Sequence, residues 1–377
     1  MTKPLSVLVI SPTYSHPADQ GNSARVQRFG RELMRRGLSV DLLYYGMDGI
    51  SDEQRKEMSS FWRRFFFLSS RPLPHPKLPT GWGIDDWCSD ALCEATREIV
   101  GTNKYDVVIV NYVWLSKVLE GLVDCVKVID THDIFGGRRE VFLEQRLEPR
   151  WFFTTEAEEA KGFSRADVVI GIQSNESAQI RSRYDGPVTT VGYSFDPLFL
   201  TRHYDKDPPM RFGYLGSGNP LNVRSIQEMA SALNSNPAGP WAIAGTISRR
   251  KLNLGPGVVN MGMVDALSDF YEKVECVLNP MLGGTGLKIK TIEGLAFGKP
   301  MIGTRDAFEG IRTSHPFHEI SNMNDFVQAM HVYTASESER DKLRIASRAT
   351  FARYMAEVQN QYDDLVEALH QLREGLQ

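Results

Sequence analysis

The chain has 377 residues, a formal net charge of −4 and a hydrophobic content of 42%. This length favours two domains over one, and the absence of a basic excess argues against a nucleic-acid-binding protein. The four cysteines form no CxxC pair and have no histidine at metal-ligand spacing, so free thiols in a reducing cytosol are expected. The amino-terminal apolar run is too short for a signal sequence, and no stretch reaches the roughly 18 apolar residues of a membrane span. The sequence therefore predicts a cytoplasmic protein that is soluble or peripheral at the inner membrane face.

The first half of the chain alternates short apolar runs with amphipathic stretches. Residues 5–10 are typical of a buried strand, residues 23–36 of a helix that Gly37 ends, and residues 39–45 of a second strand. A strand–helix–strand opening implies a parallel sheet. Further strands are predicted at residues 106–110, 126–130, 166–172 and 188–193.

The pattern lapses into Asp, Pro, Lys and His residues at 195–209, where we place a linker. It then restarts, with predicted strands at 211–215, 241–245, 258–261, 276–280 and 300–303 and helices at 222–233, 265–273, 286–297 and 336–376. This is an α/β pattern. It predicts two Rossmann-like domains, residues 1–200 and 205–350, that face each other across a cleft. In such sheets ligands bind outside the carboxyl ends of the strands.

The most informative segment is 283–300, a glycine-rich loop that opens into a helix. Thr285 is the expected N-cap, and Gly298 is the expected stop. Lys288 then falls in the first turn, where its charge opposes the helix dipole unless an anion binds. Glu293 follows about a turn and a half later and could accept hydrogen bonds from sugar hydroxyls. The alternative is a surface lysine on an ordinary helix that packs on the sheet.

The element order and this segment resemble the GT-B-fold retaining glycosyltransferases, family 4 in particular. The carboxyl-domain signature of that family is similar to Glu-Gly-x-Gly-x-x-x-x-Glu-Ala-x-Ala-x-Gly-x-Pro, and it is matched by Glu293, Ala296, Gly298 and Pro300. Other similar stretches are residues 262–280, 304–310, the loop with Gly21 and Arg25, and the strand-to-histidine run 128–133. The resemblance covers nearly the whole chain.

The resemblance implies transfer of a sugar from a nucleotide-diphosphate donor to a glycan, lipid-linked or other acceptor, with retained configuration. The nucleotide sugar is a co-substrate, and no further cofactor is implied. The catalytic candidates are His132, Lys288 and Glu293. The donor-binding candidates are Ser217, Gly218, Val264, Thr285, Gly286, Leu287, Lys288 and Glu293. The acceptor-side candidates are Gly21, Asn22, Arg25 and Asp133. The carboxyl-terminal helix, about 355–377, is expected to return to the first domain.

The sequence also departs from the family pattern. The first signature glutamate falls on Thr285, which affects the donor-sugar contact. Ser217 and Asn222 stand where many members carry an arginine and a lysine for the diphosphate, so Lys288 gains importance. Two roles remain open for His132, which could contact the sugar or hydrogen-bond a loop carbonyl. Arg25 could meet a phosphate-bearing acceptor or lie on the helix surface.

The only Asp-x-Asp triplet, at residues 205–207, lies in the predicted linker, so a metal-independent reaction is expected. Two segments mix aromatic and basic residues. Residues 61–68 fit a buried strand or an interfacial membrane segment, and residues 138–153 fit a solvated helix face or a surface for lipid or phosphate. Two other functions compete with the transferase, namely a GT-B-fold nucleotide-sugar epimerase and a non-catalytic nucleotide-sugar-binding protein.

Overall fold

The computed structural model describes residues 4–70, 78, 81–144, 146, 148–149, 151–199, 210–284 and 286–376. The chain divides into two compact units, Met1–Ser194 with Val358–Gln377, and Phe195–Glu357. Within the described parts of the chain, no helix has the length and apolar character that crossing a bilayer requires.

The first unit is built on a seven-stranded parallel sheet in the order β3-β2-β1-β4-β5-β6-β7. Its strands are β1 (Ser6–Ser11), β2 (Ser39–Gly46), β3 (Phe65–Ser69), β4 (Val107–Asn111), β5 (Val126–Asp130), β6 (Val168–Gly171) and β7 (Val188–Thr190). Its helices are α1 (Gly21–Arg35), α2 (Asp52–Phe61), α3 (Asp90–Asn103), α4 (Arg138–Glu144), α5 (Glu156–Phe163) and α6 (Ser174–Arg181). In the central strands, Val9 pairs with both Leu42 and Ile109. Every residue of β4 is buried, as expected for a strand covered on both faces.

The second unit is built on a five-stranded parallel sheet in the order β10-β9-β8-β11-β12. Its strands are β8 (Met210–Leu215), β9 (Trp241–Ala244), β10 (Val258–Gly262), β11 (Val274–Asn279) and β12 (Met301–Gly303). Its helices are α7 (Pro220–Ser235), α8 (Leu267–Tyr271), α9 (Ile289–Ala296), α10 (Met323–Ala335) and α11 (Glu337–Gly375), whose last residues belong to the first unit. The α/β class and the parallel sheets predicted from the sequence are confirmed.

The strand order reverses once in each sheet, between β1 and β4 in the first unit and between β8 and β11 in the second. At such a reversal, the loops that follow the two neighbouring strands run in opposite directions and leave a crevice beyond the carboxyl ends of the strands. Ligands of α/β proteins bind in this crevice. In the second unit this position is formed by the segments that follow β8 and β11, residues 216–219 and 280–288. In the first unit it is formed by the segments that follow β1 and β4.

Helix α9 begins later than the sequence predicts. Thr285, the expected N-cap, lies outside the described residues, and Lys288 occupies the N-cap position with φ −85° and ψ 88°. The prediction that Lys288 lies in the first helical turn is therefore wrong, because Gly286 (φ 75°) keeps the chain out of the helix. The predicted stop is confirmed. Gly298 has φ 72°, and the amides of Gly298 and Lys299 donate to Leu295 and Gly294, which is a Schellman motif.

The two aromatic–basic segments differ from each other in structure. Helix α2 ends at Phe61, and only residues from Phe65 onward form a strand, β3, whose side chains are half-buried to exposed at the sheet edge. Helix α4 has no buried residue, and Trp151 beyond it is exposed while Phe152 is fully buried. Helix α4 agrees with the solvated helix face considered for residues 138–153, and among the described residues the helices that the sequence analysis did not assign are α2, α3, α5, α6 and α10.

A buried histidine links β12 to the long helix α11. The His318 ring stacks on Phe308 with a centroid distance of 4.3 Å, and its Nε2 lies 3.1 Å from Ser347 Oγ. The same serine hydroxyl accepts a hydrogen bond from the Met301 amide. Burial, and then the neighbouring His315, lowers the pKa of His318 to about 3. The folded protein thus holds His318 neutral at a pH where the unfolded chain takes up a proton.

We expect acid to destabilise the protein through His318. The stabilising contribution of the neutral ring is complete above the unfolded pKa of about 6.5 and is lost as the pH falls, by about 2 kcal/mol at pH 5. The His318→Gln variant should be less stable at pH 8 but should lose less stability between pH 8 and pH 5. Urea-induced unfolding at both pH values measures this difference. A matched control is His331→Gln, because His331 bonds Asn236 at the surface. Equal losses in wild type and His318→Gln would contradict the assignment.

Candidate active site

The loop after β8 is held by its own polar side chains. Asn219 caps α7 by accepting a hydrogen bond from the Asn222 amide at 2.8 Å. The Asn222 Nδ2 donates to the carbonyl oxygen and to Oγ of Ser217, at 2.9 and 3.0 Å. The Gly218 amide donates to Thr246 Oγ1, beyond β9, at 3.0 Å. The structure therefore brings Ser217, Gly218 and Asn222 together at the carboxyl ends of the central strands.

The ammonium group of Lys288 is buried beneath the glycine-rich loop. Its Nζ donates to the carbonyl oxygens of Gly286 and Gly284 at 2.7 and 3.4 Å and lies 3.3 Å from Glu309 Oε2. The side chain is only 6% exposed. The Lys288 charge is thus already balanced in part by a carboxylate and two carbonyl dipoles.

A second lysine, which the sequence analysis did not select, lies at the same place. Lys290 Nζ lies 2.7 Å from Asn222 Oδ1 and 2.9 Å from the Tyr214 hydroxyl, and it lies 4.9 Å from the Tyr214 ring centroid. Burial, and then the charge of Lys288, lowers the pKa of Lys290 to about 7. A helix over 286–297 would have put residues 288 and 290 about 200° apart. Because α9 begins only at Ile289, Lys288 lies before the helix and this angular separation does not apply. The Lys-x-Lys spacing was therefore the sequence signal that could have identified Lys290.

The other donor-side candidates occupy different positions. Glu293 is half-buried on α9, and its charge raises the pKa of Lys290 against the two larger effects. Gly286 and Leu287 are buried in the loop before Lys288. Val264 lines a cavity of about 420 Å³ beside the edge strand β10, together with Val259, Met210, Met261, Met263, Asp265, Asp269 and Lys273. None of the lysines of the loop or of α9 lines that cavity.

The first unit contains a buried ion pair between α1 and β5. Arg25 Nη2 lies 2.9 Å from Asp130 Oδ1, and Arg25 Nη1 donates to the Gly192 carbonyl at 2.5 Å. Both side chains are almost completely buried. Burial alone would raise the pKa of Asp130, but the Arg25 guanidinium and then His132 outweigh it and hold that pKa well below its usual range. Of the two roles left open for Arg25, the position on the helix surface is excluded, because the side chain is buried.

His132 follows β5 and is positioned by Asp130. Its Nε2 lies 3.2 Å from Asp130 Oδ2, a close contact whose angle falls short of an aligned hydrogen bond. Its backbone has φ 59°, and its ring packs on Tyr112, which has φ 69°, with a centroid distance of 4.4 Å. Left-handed backbone at two adjoining non-glycine residues is strained, and such strain is concentrated at functional sites. Asp130 and Tyr112 were not selected from the sequence.

The remaining acceptor-side candidates, Asp133, Asn22 and Gly21, have no contact in common. Asp133 pairs with Arg138 at 2.6 Å. Asn22 Nδ2 donates to Thr13 Oγ1 at 3.4 Å. Gly21 is the exposed first residue of α1. No group of three or more His, Cys, Asp or Glu side chains suited to a metal ion occurs in the described parts of the chain. The Asp-x-Asp triplet at 205–207 lies outside them.

Residues 224–336 match the protein family described as Glycosyl transferases group 1. The matched residues contain β9 to β12, α8 to α10 and the segment with Lys288, Lys290 and Glu293. None of the curated proteins matches the chain.

Solved structures are similar to the chain over almost its full length. Sucrose-phosphate synthase from Thermosynechococcus elongatus has a TM-score of 0.74 at 18% identity, with 98% of this chain and 100% of that chain covered. HepE from Anabaena, solved with UDP and glucose, has a TM-score of 0.67 at 12% identity, with 97% and 100% covered. A TarM mutant from S. aureus, solved with fondaparinux, alpha-GlcNAc-glycerol and UDP, has a TM-score of 0.70 at 10% identity, with 96% and 99% covered. At these identities the likeness establishes the fold, which is that of GT-B glycosyltransferases.

The buried ion pair yields a stability prediction. Arg25→Met should lower the free energy of unfolding by about 3–5 kcal/mol, because it leaves the Asp130 carboxylate buried without its main partner. Adding Asp130→Asn to that variant should restore part of the loss, since the uncompensated charge is then removed. Denaturant unfolding of the wild type, the two single variants and the double variant gives the coupling energy. Additive losses would show that Arg25 and Asp130 do not act as a pair.

Proposed function

We propose that the protein is a glycosyltransferase that uses a nucleotide-diphosphate sugar and transfers the sugar with retention of configuration to a glycan, lipid-linked or other acceptor. One observation carries the proposal: the glycine-rich loop and Lys288 lie at the strand-order reversal of a glycosyl transferases group 1 domain. The proposal is supported by the bound UDP of HepE and of TarM, which have the same fold.

The donor would bind to the second unit. Lys288 and the amides next to Gly286 and Leu287 would hold the diphosphate, and Glu309, only 3.3 Å from the ammonium, would then share Lys288 with the ligand. Glu293 would accept hydrogen bonds from the ribose hydroxyls, and the backbone near Val264 would meet the base. Ser217 and Gly218 would face the phosphates from the loop after β8.

The acceptor would bind to the first unit near Gly21, Asn22 and Asp133. His132 would contact the transferred sugar. Asp130 Oδ2, 3.2 Å from Nε2 of that ring, would orient the ring electrostatically. The sequence suggested that Arg25 contacts a phosphate-bearing acceptor directly. We propose instead an indirect role, in which Arg25 keeps Asp130 ionised.

In the transfer step, the bond between the anomeric carbon and the diphosphate oxygen breaks, and its electron pair stays on the diphosphate. The acceptor oxygen bonds to the anomeric carbon from the same face and loses its proton to a phosphate oxygen of the leaving group. Negative charge therefore grows on the diphosphate while the sugar becomes oxocarbenium-like. Fixed cations and amide dipoles stabilise that charge, and they can do so without a metal ion. A cytoplasmic location with peripheral contact to the membrane stays a prediction.

The proposal is tested by incubating the protein with UDP-, GDP-, ADP- and dTDP-sugars. Thermal shift identifies the donor, because a ligand that binds the folded state raises its apparent stability. NMR of the product from that donor and a set of sugar and polyprenyl-phosphate acceptors then gives the anomeric configuration. An altered nucleotide sugar released without acceptor would favour the epimerase instead. Binding without turnover of any acceptor would favour a non-catalytic protein.

Replacing the loop lysine should impair transfer. Lys288→Ala should lower kcat/KM by roughly 10²–10³-fold, because it removes a preorganised cation from the leaving group. Steady-state kinetics of nucleotide release with the identified donor measures the effect. Lys251→Ala, which removes an exposed lysine of the same unit, serves as the matched control and should keep wild-type rates. If Lys288→Ala responds to every nucleotide as the wild type does, the donor site has been misplaced.

A further inference from the structure

We propose that Lys290 is a proton-linked ligand of the donor diphosphate: it binds the diphosphate as an ammonium ion together with Asn222, and it takes up a proton when the donor binds. The inference rests on the proposed function and adds to it a second phosphate-binding lysine with a distinct pH dependence.

The position of Lys290 supports a ligand-binding role. Its Nζ is held by Asn222 Oδ1 at 2.7 Å and by the Tyr214 hydroxyl at 2.9 Å, which come from α7 and β8. These two elements and α9 meet where the strand order of the second sheet reverses. Asn222 in turn donates to Ser217 in the loop after β8. The ammonium group therefore lies between the two loops that a diphosphate at the reversal would contact.

The charge balance at Lys290 differs from that at Lys288. Lys288 has the carboxylate of Glu309 at 3.3 Å. In the described parts of the chain, no carboxylate lies within ion-pair distance of the Lys290 ammonium, and its contacts are an amide oxygen, a hydroxyl, an aromatic face and the Met281 sulfur at 3.8 Å. A poorly solvated cation with neutral partners is costly until an anion arrives. A bound diphosphate would supply that anion.

The surroundings of Lys290 on balance disfavour its proton in the free protein. Lys288 at the start of α9 repels its proton, and Glu293 on α9 attracts it more weakly than burial and Lys288 repel it. Tyr214 on β8 stays protonated, because burial raises the pKa of its hydroxyl. Asn222 on α7 and Met281 after β11 carry no charge. Since the pKa of free Lys290 is lowered to about 7, most of the free protein lacks this proton at pH 8, and an anion placed beside the amine would restore it.

Isothermal titration calorimetry with UDP measures both the affinity and the proton uptake. Titrations at pH 8 in two buffers of different ionisation enthalpy should show uptake of close to one proton by the wild type, since a phosphate with a second pKa near 6 is already ionised there. The affinity for UDP should fall by up to about tenfold between pH 8 and pH 9. If UDP gives no heat, GDP, ADP and dTDP are titrated in the same way.

Two substitutions at the same position separate charge from structure. Lys290→Met should weaken UDP binding at pH 7 by roughly 10–100-fold, weaken UMP binding less, and abolish proton uptake. Lys290→Arg, whose charge is permanent, should keep most of the affinity but show neither proton uptake nor the loss between pH 8 and pH 9. Lys251→Met, at an exposed lysine, should match the wild type. Lys290→Arg also keeps the test valid if Lys290→Met does not fold.

The possible failures are distinguishable. Wild-type protein that binds none of the four nucleotides would overturn the proposed function and this inference together. Wild-type protein that binds a nucleotide without proton uptake, or a Lys290→Met variant that binds it as tightly as the wild type, would overturn the role of Lys290 alone. Uptake that persists in Lys290→Arg would assign the proton to another group and likewise contradict the inference.

Discussion

Two lysine side chains share one end of the second sheet, and the mutual repulsion of their charges is the constraint on which the candidate donor site depends. The protein handles the two charges differently. Lys288 is neutralised by Glu309 and by loop carbonyls, whereas Lys290 is surrounded by neutral oxygen and sulfur atoms. The glycine-rich loop can stay close to α9 because its own carbonyls accept from Lys288. The conflict between a lysine and the positive helix end is thereby reduced by a carboxylate at Lys288, whereas Lys290 has neutral partners.

In the first unit the buried charge that needs a partner is negative. It is the Asp130 carboxylate at the end of β5. Asp130 costs free energy to bury, and Arg25 offsets this cost through an ion pair that ties α1 to the sheet. The ionised Asp130 carboxylate in turn lies 3.2 Å from Nε2 of His132. The strained backbone of His132 and Tyr112 is kept in place by the same packing. In the described contacts, Arg25 thus reaches His132 through Asp130.

The sequence alone predicted the class of the fold well, because its signals are strong and local. The buried parallel strand β4 contains a continuous apolar run, residues 107–110, and Gly298 ends α9 with the backbone conformation that glycine permits. Polar helices such as α2 were not recognised, since only Met58 of that helix is buried and no apolar stripe marks it. The start of α9 was misplaced by three residues, because neither the left-handed backbone of Gly286 nor the non-helical backbone of Lys288 has a signal in the apolar periodicity.

The candidate site was harder to predict from the sequence than the fold. Spacing alone identified Lys288, but the value of a lysine as a ligand depends on what already neutralises it, and its partner Glu309 is 21 residues away. Lys290 looked like an ordinary helical residue, yet its partners Tyr214 and Asn222 are 76 and 68 residues away and carry no charge. Asn222 stands where the related glycosyltransferases would place a cation, which suggested a weakened site. In the folded domain Asn222 Oδ1 instead accepts a hydrogen bond from Lys290 of α9, so a cation does lie beside that position, supplied by another element.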